Sequence, residues 1–531
     1  MNVRSAFAGT WSLVRTRARV DRVRLALWTV GIITMVAVSA ASIESLFPTQ
    51  ADLDSAAAGS DNPAIRAFNG PAQALDTLGG QVAFQIGAPG FTIAALAGIM
   101  LTTRLTRREE EVGRLELVRS LPVGRGAPMA AAAIVVGALH VVIGLGVAVS
   151  CLLSDLPAAG AWAFGLGYVA VGWVFTAISL VTAQIAPTSR SAGGLAGAVL
   201  AVSFVLRAVG DMTNGALSWL SPIGWAQAAR PWADERWWVF AIPLVVTAAT
   251  GGLARALLAR RDLGGGLVPQ RRGPASAAPG LATPLALAVR LQRGTVIGWS
   301  VGLALFGFVY GVIVDSIEDF VSDNEAMADF MAAGDGGASL TDSYLGQSMR
   351  VLALIASGFA AQSVLRARSE ETSGRAEPLM AGSITRRSWL GSHAGVAAIG
   401  SVAVVVLGAL WVAIGVLIAT GELDRAPSLL GAGLSYVPAL LVVVGVGVAI
   451  TGWSPRATGV TWALVAGSLV IGMFGPLLDL PAWVSNLSPF EHVALVPAES
   501  SAVVPLVLLS AVAAGLAVVG LAGIDRRDLP A

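Results

Sequence analysis

Uncharged apolar blocks follow one another along this chain. Many are long enough to cross a hydrocarbon core about 30 Å thick at a helical rise of about 1.5 Å per residue. Lipid offers no hydrogen-bond partner to a bare peptide group, so blocks of this kind fold as membrane-spanning helices. Hydrophobic residues make up 55% of the 531 and charged residues 13%, against roughly 25% charged in soluble proteins. A membrane protein is the one class that fits. The blocks place spans at 25–43, 84–103, 127–153, 161–185, 192–210 and 237–258, then at 295–314, 345–365, 392–419, 429–452, 458–478 and 502–524. The predicted fold is an all-α polytopic membrane protein of about twelve transmembrane helices.

The polar residues exclude several chemistries. All 34 Lys+Arg positions are arginine. A phosphate-binding P-loop uses a lysine to reach the nucleotide's phosphates, and Schiff-base catalysis needs a lysine amine. Neither is open to this chain, so any ATP that drives it must be bound by another subunit. The single cysteine, Cys151, rules out an internal disulfide, and no Cys/His spacing suits a metal. No basic patch interleaved with aromatics points to nucleic acid.

Arginine placement sets the expected orientation. Of the 34, 28 fall in one alternate set of segments: 1–24, 104–125, 186–191, 255–293, 366–387, 453–457 and 525–531. The opposite set collects acids, notably Asp315, Glu318, Asp319, Asp323, Glu325, Asp329, Asp335 and Asp342. Positive charge stays on the cytoplasmic side, so both termini are expected there. A signal peptide ending near Ser39-Ala40-Ala41 is disfavoured by the basic leader of 24 residues.

The chain also repeats itself. The segment after span 2 carries Arg107, Glu109, Glu110, Gly113, Arg114, Glu116 and Arg125. At an offset of 261, the segment after span 8 carries Arg368, Glu370, Glu371, Gly374, Arg375, Glu377 and Arg386. Trp28 and Gly31 match Trp299 and Gly302; Pro187 and Arg190 correspond to Pro455 and Arg456. Leu220-Ser221-Pro222 matches Leu487-Ser488-Pro489, and Arg260-Arg261-Asp262-Leu263 matches Arg526-Arg527-Asp528-Leu529. Two six-helix units result, 1–263 and 285–531, joined by a Gly/Pro/Ala/Arg-rich cytoplasmic linker at 264–284. An even number of spans per unit makes the repeat parallel.

Each unit opens on a basic, amphipathic segment: Phe7, Trp11, Val14 and Ala18 among arginines in the first, and a helix capped by Thr283-Pro284 in the second. The segments 44–83 and 315–344 are long enough to form extracellular caps. The tryptophan-bearing segments 211–236 and 479–501 read as re-entrant or interfacial, or simply as aromatic anchors. Arg207 and Asp211 are spaced to pair. His140, His393 and His492 do not cluster and read as packing or surface residues. Gly193 with Gly197, and Gly459 with Ala463, predict close helix packing. A solvated loop would explain the arginines after spans 2 and 8. It would not ask for three glutamates and a central glycine at fixed spacing twice over, so a docking role is expected for these elements.

With those features in place, the chain resembles ABC-2-type transport permeases, and more narrowly the fused permeases of actinobacterial polyketide-antibiotic exporters of the tetronasin-resistance type. The resemblance covers essentially the whole chain, and its motif carriers are Glu109-Glu110-x-x-Gly113-Arg114-x-Glu116 and Glu370-Glu371-x-x-Gly374-Arg375-x-Glu377. It implies a multi-pass plasma-membrane permease that is not itself an enzyme and holds no cofactor. It would export lipophilic small molecules such as antibiotics or drugs. Two copies of an ABC ATP-binding subunit, carrying ATP and magnesium, would drive it through the charged elements (Arg107 to Glu116 and Arg368 to Glu377). Phe204, Phe306, Tyr310, Met473 and Phe474 would contact substrate. Glu111 is replaced by Thr372 and Leu117 by Pro378, which makes unequal ATPase contacts conceivable. Three alternatives stay open: an ion-coupled twelve-helix drug transporter, an ABC permease for lipid or glycolipid, and a non-transporting scaffold.

Overall fold

The computed structural model describes residues 6–58, 63–262, 283–314, 340–474 and 481–527, with 264–269, 273, 275–276 and 279–281 between the halves. Every regular element among them is helical. The chain divides into two compact units, Met1–Gly273 and Pro274–Ala531, and the division falls inside the 264–284 segment.

Twelve described helices are long and apolar enough to cross a membrane, one for each predicted span. In the first unit they are α1 (Arg22–Leu46), α2 (Leu78–Glu111), α3 (Ala127–Leu153), α4 (Ala158–Ile185), α5 (Ser189–Met212) and α6 (Trp237–Arg260). In the second they are α7 (Pro284–Val312), α8 (Thr341–Thr372), α9 (Arg386–Thr420), α10 (Ala426–Trp453), α11 (Pro455–Met473) and α12 (Val503–Arg526).

In the first unit α4 is the hub, packed on α2, α3, α5 and α6. Phe91, Phe164 and Tyr168 form its aromatic centre, with centroids 4.9 to 5.6 Å apart. In the second unit α9 packs on α7 and α8, and α10 on α12. Lipid is as apolar as leucine, so helices cohere here through close approach. A Cβ on Gly144 of α3 would lie 2.6 Å from the Gly165 carbonyl of α4, and one on Gly415 of α9 would lie 2.5 Å from the Phe308 carbonyl of α7. The expected packing faces on α5 and α11 are not used this way. Gly197 and Gly459 meet no neighbour within 4 Å, and Gly193 only touches Thr103 at 3.9 Å. Helical spacing places small residues on one face, but it does not say which neighbour that face meets.

Capping residues end the helices where the sequence indicated. Thr283 accepts a hydrogen bond from the Ala286 amide at 3.2 Å. Both Leu-Ser-Pro motifs start short helices, with Ser221 capping Gly224 at 3.4 Å and Ser488 capping Phe490 at 3.3 Å. In each, proline takes the first turn, where its missing amide is harmless. The helix after Ser221, Pro222–Ala228, is mostly buried, while Trp219, Trp237 and Trp238 are exposed. The first cap contains helices Gln50–Ala58 and Pro63–Asn69; most of the second, 315–339, lies outside the described residues.

The basic leaders differ. In the first unit the leader is a separate helix, Thr10–Val20, broken from α1 at Asp21. Its start is fastened to the α2–α3 connection, where Gly124 and Gly126 donate to the Ala8 and Ala6 carbonyls at 3.0 and 2.9 Å. In the second unit the leader runs unbroken into α7.

Candidate functional site: the charged elements after α2 and α8

α2 does not stop where its apolar block ends. It passes through a π-helical turn, Arg104–Arg108, and then one α turn, Glu109–Glu111. A π turn inserts one extra residue into the helix. Here Leu105 and Arg107 are buried while Arg108 is exposed. Gly113 then turns the chain at φ +76°, a left-handed conformation that costs a residue with a Cβ roughly 1–2 kcal/mol. A short helix, Arg114–Arg119, follows. The second unit builds the same shape from Arg366–Thr372, Gly374 at φ +69°, and Glu377–Met380.

The first two glutamates of each motif face inward. Glu109 pairs with Arg114 across Gly113 at 3.3 Å. At the matching positions Glu370 takes Arg375 across Gly374 at 2.8 and 3.2 Å, and it also holds Arg366 at 2.6 Å. This hydrogen bond holds the Arg375 guanidinium above its ordinary pKa. Glu110 is gripped from two sides. Arg107, its side chain fully buried, lies 2.6 Å away, and Arg261, arriving from the end of α6, binds it through both terminal nitrogens, one of them at 2.8 Å. Glu371 repeats the arrangement with Arg368 at 3.2 Å and with Arg527, from the end of α12, at 2.8 and 3.1 Å.

The bases are satisfied as well. Arg107 donates to the Pro187 carbonyl at 3.1 and 3.0 Å, and Arg261 donates to Gln184 Oε1 at 2.6 Å. A buried ion pair persists when further hydrogen bonds offset its desolvation, and this one has them. The start of the next span closes the ring. Arg125 donates to the Leu258 carbonyl at 3.0 Å and to that of Arg261, and Arg386 donates to the Arg527 carbonyl at 2.6 Å. Each element is therefore tied to the beginning of the third span of its unit and to the end of the sixth.

The remaining motif residues face outward. Leu115 and Ala376 point in, but Glu116 and Glu377, one position on, are exposed. In the first unit Val112, Leu117 and Leu121 are exposed with them, Leu117 by 74%. In the second unit Thr372 folds back on its own helix, and Pro378 opens a helix two residues shorter than its counterpart. Glu111, by contrast, reaches across to Ser189 at the start of α5. The first element also shares a cavity of about 200 Å³ with the leader helix, between Leu13, Arg17 and Val20 on one side and Glu109, Leu115 and Val118 on the other. Burial against this face lowers the Arg17 pKa, and its guanidinium donates to the Pro128 carbonyl.

The residues named for substrate contact are not gathered at one place. Phe204 is half-buried in α5 beneath the Arg207 guanidinium, 4.5 Å from its ring centre. Arg207 pairs with Asp211 at 3.4 Å, as their spacing predicted, and donates to the Phe68 carbonyl at 3.2 Å. Phe306, 41% exposed, and Tyr310 lie 6.5 Å apart on α7, with Tyr344 of α8 donating to the Tyr310 carbonyl at 3.1 Å. Met473 is exposed on α11, and the side chain of Phe474 lies outside the described residues. His140 and His393 are buried in separate units and His492 is exposed.

Sequence reasoning noticed Arg261 and Arg527 only as repeat markers. Their partnership with Glu110 and Glu371 was signalled by opposite charges recurring together in both halves. Gln184 left no such signal.

Two six-helix units of membrane-spanning helices, each with a folded charged element at its arginine-rich end, define a polytopic membrane permease. The family model described as "Multidrug efflux system permease Rv1217c, C-terminal domain" matches residues 281–524. Over 528 residues the chain is 37% identical to the multidrug efflux system permease protein Rv1217c of Mycobacterium tuberculosis, covering 99% of this chain and 96% of that protein. The chain belongs to this family of multidrug efflux permeases, multi-pass proteins of the bacterial plasma membrane.

Proposed function

We propose that this chain is the membrane-embedded half of an ATP-driven exporter for lipophilic small molecules such as antibiotics or drugs. Two copies of a separate ATP-binding subunit would power it, one seated on each charged element, and ATP with its magnesium would lie on those subunits. The observation that carries this reading is the duplicated element itself. It is a short helix turned out by a left-handed glycine, braced beneath by buried ion pairs, with a glutamate left exposed at the same position in both copies. A brace of that kind transmits force without bending. The excess of arginine at this end favours the cytosol, where ATP is. An absence of lysine agrees with an engine housed elsewhere. The relative's printed name, multidrug efflux, supports the substrate class.

The test is co-purification of the full chain with an ATP-binding subunit, followed by drug uptake into inverted vesicles. ATP-dependent uptake that Leu117→Glu combined with Glu116→Arg and Glu377→Arg abolishes, with the permease still folded, is the expected result. Uptake driven by an ion gradient with no nucleotide-hydrolysing subunit present would overturn the proposal in favour of a secondary transporter.

A further inference from the structure

We propose that Arg261 and Arg527 are positioning residues for coupling: each locks the end of the last span of its unit to the charged element, so that a push on the element is delivered straight into α6 or α12. The inference rests on the coupling reading above and adds the route by which motion enters the bundle.

Three observations carry it. The contact is made twice, by residues at matching places in the repeat, between segments 151 and 156 positions apart in sequence. It is two-sided in each copy. The arginine side chain grips the glutamate, while the arginine carbonyl receives Arg125 or Arg386 from the start of the third span. Finally, the spans it anchors are lightly held elsewhere. Along α6 only Pro243 and Ala254 are buried, and along α12 only Ala513, Gly520, Gly523 and Ile524. A peripheral helix with so few buried side chains follows whatever grips its end.

Stability alone is a weaker explanation. Buried ion pairs contribute little net stability compared with apolar residues of similar volume, and Glu110 already has Arg107 for charge balance. Arg261→Met therefore leaves no uncompensated buried charge. What it removes is the tie to α6.

The experiment uses the full chain bound to its ATP-binding subunits, in a Cys151→Ala background, with spin labels on Leu117→Cys and Leu253→Cys. Both sites are exposed, at 74% and 50%, one on the element and the other on α6. With the latch intact, the distance between the labels stays the same in the nucleotide-free and vanadate-trapped states, because the two segments travel together. In Arg261→Met it changes on trapping, and drug export falls roughly tenfold, within the range of coupling free energies between sites, while the ATP-binding subunit still co-purifies. Arg261→Lys, which keeps the charge but loses the fork, recovers part of the export. Arg527→Met lowers export in the same way.

Labels that separate on trapping with the latch intact would overturn the inference. So would normal export by Arg261→Met, or loss of subunit binding together with export in both the Met and Lys variants, which would mark the arginine as structural only. If no ATP-binding subunit is retained even with the latch intact, the coupling reading itself has failed, and that outcome is distinct from the others.

Discussion

The two charged elements share a scaffold and differ in the surface they offer. In both, an acid–base pair bridges the left-handed glycine and a second acid is held by two arginines. The first element, however, keeps its latch almost wholly out of water, with the Arg107, Arg261 and Glu110 side chains 0%, 4% and 8% exposed. It turns leucine and valine outward. The second leaves Arg368 22% exposed and presents threonine, serine and proline. Duplication preserved the part that holds the element still and released the part that meets a partner. The two halves are therefore expected to bear unequal loads.

The largest expected effect bears on the latch. Glu110→Ala leaves Arg107 and Arg261 facing each other in a buried site, which costs about 3–5 kcal/mol. Glu371→Ala, whose arginines can reach water, costs roughly half that. Thermal unfolding in detergent compares them, and equal losses would break the contrast. Next comes the exposed face. If Leu117 is buried by the ATP-binding subunit, Leu117→Glu weakens that association roughly tenfold or more, since a buried leucine is worth about 1.5–3 kcal/mol. Pro378→Glu then has a much smaller effect, as measured by subunit retention on the immobilised permease. If the two variants weaken binding alike, the second contact is as apolar as the first.

Smaller still, Gly113→Ala and Gly374→Ala each cost about 1–2 kcal/mol, the strain of a left-handed residue. Nothing lies within 4 Å of either added Cβ, so the losses match; a marked difference would mean one turn is not held as the other is. The smallest effect is reserved for Glu116→Gln and Glu377→Gln. Stability moves within about 0.5 kcal/mol, while the salt dependence of subunit association flattens, as expected for charges at the rim of an interface.

The twelve helices were legible because apolar length is a one-dimensional property, readable without knowing any neighbour. The charged elements were legible because they recur in register. Which way each glutamate points was not. Glu109, Glu110 and Glu111 are consecutive, and their division between inside and outside depends on a π turn and on an arginine arriving from the far end of the unit. Close-packed glycines were hidden for a related reason. Gly197 and Gly144 look alike in sequence, and only the partner helix decides that the second meets a backbone carbonyl. The substrate-path residues shared the difficulty: Phe204 was named for its apolar ring, and the structure places a guanidinium over that ring.

The π turn at Arg104–Arg108 has one more implication. A helix advances about 100° per residue, so deleting a single codon there would rotate everything downstream by more than a quarter circle while leaving its composition nearly unchanged. Arg107 would leave the interior, and a different acid would swing toward α6. The first element thus works as a register mark, and a one-residue slip would read out a different surface from the same letters.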